Sequence, residues 1–332
     1  MPINCLVTGG AGFIGSYVAE ELLRMGYQVV VLDDLSGGNV DNVPPGATFE
    51  TASVLDRAKI ESLFEQYHFD YVFHLAAYAA EGLSHFIKHF NYQNNLIGSI
   101  NLINASVNYE VKCFVFTSSI AVYGVAQLPM TESMIPQPDD SYGIAKYAVE
   151  MELQATHRMF GLDYIIFRPH NVYGERQNIG DKYRNVIGIF MNQILQGQPM
   201  TIFGDGTQTR AFSYIADVAP IIARSPDVPA ARNQVFNVGA DTPYTLNYLA
   251  KAVAEAMDME SEIVYLPPRN EVSHAYSSHE KCRQVLGECT HVSLEEGLRR
   301  MAHWAKLVGS RKSRSFDDIE ISENLPPTWL ES

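Results

Sequence analysis

Short unbroken apolar runs alternate with longer stretches in which apolar residues return every three or four positions. The runs at 4–8, 28–33, 48–51, 71–75, 113–118 and 164–168 predict strands, and their continuity predicts burial on both faces. The stretches at 13–25, 58–66, 94–109 and 143–159 predict helices between them. Strand and helix in this rhythm imply right-handed crossovers and an α/β, Rossmann-type doubly wound parallel sheet. After Arg168 the rhythm changes. Residues 171–183 are rich in Gly, Asn and charge and read as a ligand-facing loop. A helix at 185–196, a Gly204-Asp205-Gly206 turn, a strand at 234–238 and helices at 246–257 and 294–307 follow. The expected division gives residues 1–170, with a contribution from about 213–257, to the sheet domain. Residues 171–212 and 258–309 form a smaller C-terminal substrate-binding lobe, and 310–332 a tail or strap with little structure of its own.

Composition narrows the function. The 332 residues are 46% hydrophobic and 19% charged, enough to bury a sizeable core. A net charge of -14 disfavours nucleic acid as a partner. Cys5, Cys113, Cys282 and Cys289 fall at no metal-ligand spacing and read as reduced thiols. The first ten residues lack the layout of a secretory signal, and no run approaches the ~18 apolar residues of a membrane span. The expected location is the cytoplasm, without membrane or metal.

The stretch Thr8-Gly9-Gly10-Ala11-Gly12-Phe13-Ile14-Gly15 joins the first strand to the first helix. Glycines there let the backbone approach a pyrophosphate, and the helix start offers amides and a positive dipole end. Asp33 ends the second strand, where a carboxylate can accept both hydroxyls of an adenine ribose. No Arg or Lys follows in 34–38 to neutralise a 2′-phosphate, so NAD is expected rather than NADP.

Ser118 and Ser119 follow the fifth strand, at the edge where such sheets bind ligands. Downstream, Tyr142 and Lys146 are four apart on a predicted helix and share one face. The spacing alone carries little in a chain with 18 tyrosines; its context carries more. A free phenol has a pKa of ~10. The ammonium and a positive nicotinamide are expected to lower it, making Tyr142 a base for a sugar hydroxyl. Ser119 is expected to hold that hydroxyl, and Lys146 the nicotinamide ribose.

These motifs, with His74-Leu75-Ala76-Ala77, residues 116–124 (FTSSIAVYG), residues 168–174 (RPHNVYG), Arg210 and Arg269, resemble the extended short-chain dehydrogenase/reductase family. The likeness is to its nucleotide-sugar epimerase/dehydratase branch, from about residue 4 to 304. Residues 178–203 and 271–279 are similar to a bacterial UDP-glucose or UDP-glucuronate 4-epimerase subgroup. The resemblance implies bound NAD, a UDP-sugar in the lobe and a homodimer joined through helices 94–109 and 143–159. It implies catalysis by Ser119, Tyr142 and Lys146. It implies a cofactor set of Gly9, Gly12, Phe13, Ile14, Gly15, Asp33, Leu75, Ala76, Ala77, Asn95, Ser118, Tyr142 and Lys146. Substrate contacts fall to Ser119, Tyr142, Asn171, Arg210 and Arg269, the two arginines clamping a diphosphate. Tyr173 is expected to pack rather than react.

Departures matter. Ile120-Ala121 replaces the Asp-Glu pair that removes water in the 4,6-dehydratases of this branch, so dehydration loses its acid–base groups. Ser53 stands where many relatives carry an adenine-binding Asp, and Ala79 where many hexose epimerases carry Lys. Ala275 aligns with the sugar pocket and leaves room for a larger substituent. His85 and His89, four apart on a predicted helix, lack a third metal ligand. Asp139-Asp140 reads as a helix cap, and the basic cluster 310–314 as solvated. The expected activity is 4-epimerisation of a UDP-sugar. The rivals are decarboxylation of UDP-glucuronate and a non-catalytic NAD-binding sensor or scaffold.

Overall fold

A computed structural model describes residues 2–269, 272–288, 291–312 and 316–330. Seven strands form one parallel sheet: β1 (Asn4–Thr8), β2 (Gln28–Asp33), β3 (Thr48–Thr51), β4 (Tyr71–His74), β5 (Cys113–Thr117), β6 (Tyr164–Pro169) and β7 (Gln234–Val238). Their order is β7-β6-β5-β4-β1-β2-β3. Each predicted strand is present to within a residue.

Successive side chains on a strand point to opposite faces. Cys5, Val7, Val31, Phe73, Val115 and Phe167 therefore enter one core. Leu6, Val30, Leu32, Val72, Phe114 and Ile166 enter the other. Both layers are helical. On one, Phe13–Arg24 buries Gly15, Val18, Ala19 and Leu22 at helical spacing and packs on Ile215–Arg224. That second helix has no counterpart among the expected elements, because Pro220 lies inside it and reads as a breaker. The other layer holds Arg57–Tyr67, Gly98–Asn108 and Ser141–Phe160.

The strand order reverses between β1 and β4, and the crevice beyond their carboxyl ends is where such sheets take ligands. The chain leaves β6 to build smaller pieces over this edge. Met200–Phe203 pairs with Ile263–Leu266, and Thr209–Ala211 lies between Pro243–Thr245 and His274–Ala275. Val186–Leu195, Leu246–Met257 and Leu294–Val308 pack behind them.

Residues 316–330 run back across the 78–90 segment. The Glu320 carboxylate accepts from the amides of His89 (2.7 Å) and Phe90 (2.9 Å), satisfying a helix start. Leu325 and Trp329 are buried against Ala80, Leu83, Ile87 and Tyr183. Of the four cysteines, Cys5, Cys113 and Cys282 are buried, and Cys289 lies outside the described residues. No described helix is long and apolar enough to cross a membrane.

Candidate active site

One cavity of about 850 Å³ runs along the crevice and under the smaller lobe. Its first wall is the glycine loop. Gly9 adopts φ +70°, and a Cβ there would sit 2.7 Å from the Ala76 nitrogen. A Cβ on Gly15 would sit 2.1 Å from the Gly9 carbonyl oxygen. Only hydrogen fits, and the loop is flattened into a cradle. Gly12 caps the Phe13–Arg24 helix without a side-chain bond, so the helix start keeps main-chain donors and its positive dipole end for an anion. Asp33 accepts from the amides of Ala11 (3.1 Å) and Leu35 (2.8 Å). Burial raises its pKa, and those amides pull the other way. The residues present fit a dinucleotide: a diphosphate cradle beside a fixed carboxylate.

The opposite wall follows β4. Ser99 Oγ donates to the Asn95 carbonyl, so His74 Nε2 must donate to Ser99 (2.8 Å). His74 Nδ1 then accepts from Thr8 Oγ1 (2.7 Å). Burial holds this imidazole neutral, its pKa pushed down to about 3. The chain Thr8–His74–Ser99 fixes Leu75, Ala76 and Ala77 along the cavity.

Asp140 caps the Ser141–Phe160 helix through the Gly143 amide (2.8 Å), as its sequence position predicts. This aims Tyr142 and Lys146 into the cavity together. Lys146 donates to the Thr117 carbonyl (2.8 Å) and lies 4.7 Å over Phe116. Ser119 accepts from the Ala121 amide (3.1 Å), and its side chain reaches the Tyr142 hydroxyl.

Burial dominates the electrostatics of both groups. Burial pushes the Tyr142 phenol up, and Asp140 and Glu81 add to it; Ser119 and Arg184 oppose. Burial also pushes Lys146 down, to about 7, against the pull of Glu150. In the protein alone, burial outweighs the groups that favour the phenolate.

Most predicted site residues meet in this cavity. Gly9, Gly12, Phe13, Ile14, Gly15, Asp33, Ser118, Ser119, Asn171, Arg210 and Arg269 all line it. Asn95 does not. Its amide holds Tyr78, accepting from the nitrogen (2.9 Å) and donating to the oxygen (3.1 Å), while Asn94 faces the cavity. Ser118 turns its hydroxyl away, donating to Glu150 Oε1 (2.5 Å). Glu150 is fully buried and forks onto Arg168 at 2.9 and 2.5 Å. Ser53 is outside the lining, whereas Ala79, Ile120, Ala121 and Ala275 are in it. His85 and His89 occupy separate helical pieces, divided by Ile87 at φ -135° and ψ 47°, and only His85 lines the cavity. Tyr173 is buried and donates to the Leu294 carbonyl (3.2 Å).

At the lobe end, Asn171 sits at φ +40° and donates to the Ala211 carbonyl (3.2 Å). Arg210 spans the carbonyls of Thr209, Val272 and Ser273, and Arg269 lies 4.7 Å over Phe203 and 5.9 Å from Trp329. His170 Nδ1 donates to the same Ala211 carbonyl (3.1 Å), and its Nε2 is 3.0 Å from His279 Nε2. His279 Nδ1 faces Asp241 at 2.6 Å. Burial and the neighbouring His279 push the His170 imidazole down, to about 3.

Among the further cavity residues that the sequence alone does not point to are Glu81, Gln177, Lys182, Arg184 and, as a lining group, His85. Gln177 is 1% exposed, and neither of its amide atoms has a hydrogen-bond partner. A polar loop residue reads as solvated until the lobe folds over it.

The sequence profile of the NAD dependent epimerase/dehydratase family matches residues 5–239. A putative UDP-glucose 4-epimerase of Methanocaldococcus jannaschii is 35% identical over 91% of this chain and 98% of its own. The UDP-glucose 4-epimerase of Thermotoga maritima, solved with UDP-glucose, superposes with a TM-score of 0.87 at 38% identity, covering 92% of this chain and 99% of that one. The UDP-glucose 4-epimerase of Thermus thermophilus, solved with NAD, gives 0.84 at 31% identity over 92% and 99%.

Proposed function

Because the chain belongs to the NAD dependent epimerase/dehydratase family, we propose that it inverts C4 of a UDP-hexose or UDP-hexuronate through a transient 4-keto sugar. One observation carries the reading. Tyr142 and Ser119 stand in a single cavity that has a dinucleotide cradle at one end and two arginines at the other. Gly9, Gly12, Gly15, Asp33 and Lys146 would hold NAD, which when bound would supply a reversible hydride acceptor for C4.

The chain's residues do the rest. Tyr142, as phenolate, takes the C4 hydroxyl proton and gives it back after inversion. Ser119 holds the C4 oxygen and keeps it in line with that phenol. Lys146, anchored on Thr117, holds the nicotinamide ribose. Arg210, Arg269 and Asn171 grip the diphosphate, so the sugar alone turns. Ala79 and Ala275 leave space on the sugar side for either a hydroxymethyl or a carboxylate. Ile120 and Ala121 offer no acid or base for dehydration. Ile97, Ile144 and Met151 are exposed on the two helical stretches assigned to a homodimer, which supports that assembly.

Incubation with a panel of UDP-sugars, followed by proton NMR of the products, tests the reading. The expected result is a 4-epimer with no net NADH. A pentose product would replace epimerisation by decarboxylation. No turnover of any UDP-sugar would favour the sensor or scaffold.

A further inference from the structure

Arg184 sets a cation in the cavity wall across from the glycine loop's neighbour Gly37. Arg184 belongs to the segment that leads into the Val186–Leu195 helix, yet it reaches the sheet domain. Its Nη2 lies 3.2 Å from where a Cβ on Gly37 would stand. Its guanidinium stacks 4.9 Å over the ring of Tyr78. Gly37 follows β2 and Tyr78 follows β4, so the cation spans the crevice from one bank to the other. Both residues line the cavity, as does Arg184.

The side chain is fixed rather than floating. Asp181 Oδ2 accepts from Nε at 2.6 Å, and both partners are largely buried. Asp181 occupies the inner edge of the guanidinium fork, and the Nη edge faces Gly37. Arg176 and Asn185, at φ +64° and +65°, bracket the segment, so its path is held at both ends by left-handed non-glycine residues. The Arg184 charge is also felt at the Tyr142 phenol.

Other cations of the lining have their own places: Lys182 lies 5.6 Å over the Tyr183 ring. Lys146 is buried on the Thr117 carbonyl, and Arg210 and Arg269 stand at the lobe end. The glycine loop would offer helix-start amides to a cofactor pyrophosphate. Arg184 reaches the same crevice from the lobe side. We propose that Arg184 is a cofactor-positioning residue of this enzyme: it closes over the dinucleotide pyrophosphate from the substrate lobe, so that NAD leaves only when residues 178–185 lift. A planar fork over phosphate oxygens is the geometry arginine serves best. This inference assumes bound NAD but not the identity of the sugar.

The test measures NAD retention. Wild type and Arg184→Gln are passed through a desalting column, and NAD in the denatured protein is quantified. Arg184→Gln is expected to lose NAD that the wild type keeps, with an NAD Kd raised roughly 10- to 100-fold, the loss of one charge-assisted contact. The defect should shrink as salt rises. UDP affinity by calorimetry should hold within about twofold, and saturating NAD should restore epimer formation, which keeps the epimerase reading separate. Arg184→Lys keeps the cation without the fork; an intermediate Kd is expected, and it serves if the glutamine variant fails to fold. NAD retention equal to wild type in either folded variant would overturn the proposal. A weakened UDP Kd with NAD unchanged would instead move Arg184 to the substrate.

Discussion

Tyr142→Phe is expected to cut kcat for UDP-sugar inversion by roughly 10²- to 10⁴-fold, the range of a positioned general base. The ring is buried and packed, so phenylalanine keeps the shape and removes only the hydroxyl. NAD content, UDP affinity and thermal midpoint should stay at wild-type values. Burial raises the phenol, so in the wild type log kcat/KM should climb with pH as the phenolate forms. The variant should lose that acid limb. Initial rates by chromatography across pH check both parts. A fall of less than about tenfold would assign the proton transfer to another group.

Arg168→Met is expected to destabilise the fold by about 3–5 kcal/mol. Glu150 and Arg168 lie beneath the site, almost without solvent, and the Ser118 hydroxyl donates to the same carboxylate. Arg168 also lies 4.7 Å from the Tyr123 ring. Methionine fills much of the volume but strands a buried carboxylate. The double variant with Glu150→Met removes both charges and should recover more than half of the loss, since a buried pair is worth little against packed apolar groups. Urea denaturation of the wild type, both single variants and the double variant measures this. A loss below about 1 kcal/mol for Arg168→Met would show that the pair contributes little to holding β5 and β6 together.

The sheet was readable because its strands are buried on both faces. Continuous apolar runs such as Cys113–Thr117 have no other soluble use. The glycine loop was readable because steric demand leaves one residue type. Side-chain direction on helices was less so. Asn95 falls inside a π-helical piece, Gln93–Ile97, which adds a residue to the turn and rotates the following face. Asn95 there turns to Tyr78, and Asn94 faces the cavity. The break at Ile87 parted His85 from His89 in the same way. The spacing of Tyr142 and Lys146 reports proximity and says nothing of the desolvation that raises the phenol in the protein alone. Arg184 could not be read at all. Its partners, Gly37 and Tyr78, are distant in sequence and come together only when the lobe closes.

The segment around Trp329 has an optical consequence. The chain has two tryptophans, and this one lies edge-on to Tyr183 at 5.2 Å with the Arg269 guanidinium 5.9 Å away. Indole emission responds to nearby cations, so the molecule carries its own dye beside Arg269, a residue of the cavity wall. With Trp304→Phe silencing the other indole, titrating UDP should change the remaining fluorescence as Arg269 turns to the phosphates. A spectrum that stays constant through saturation would mean that this guanidinium never leaves its rings.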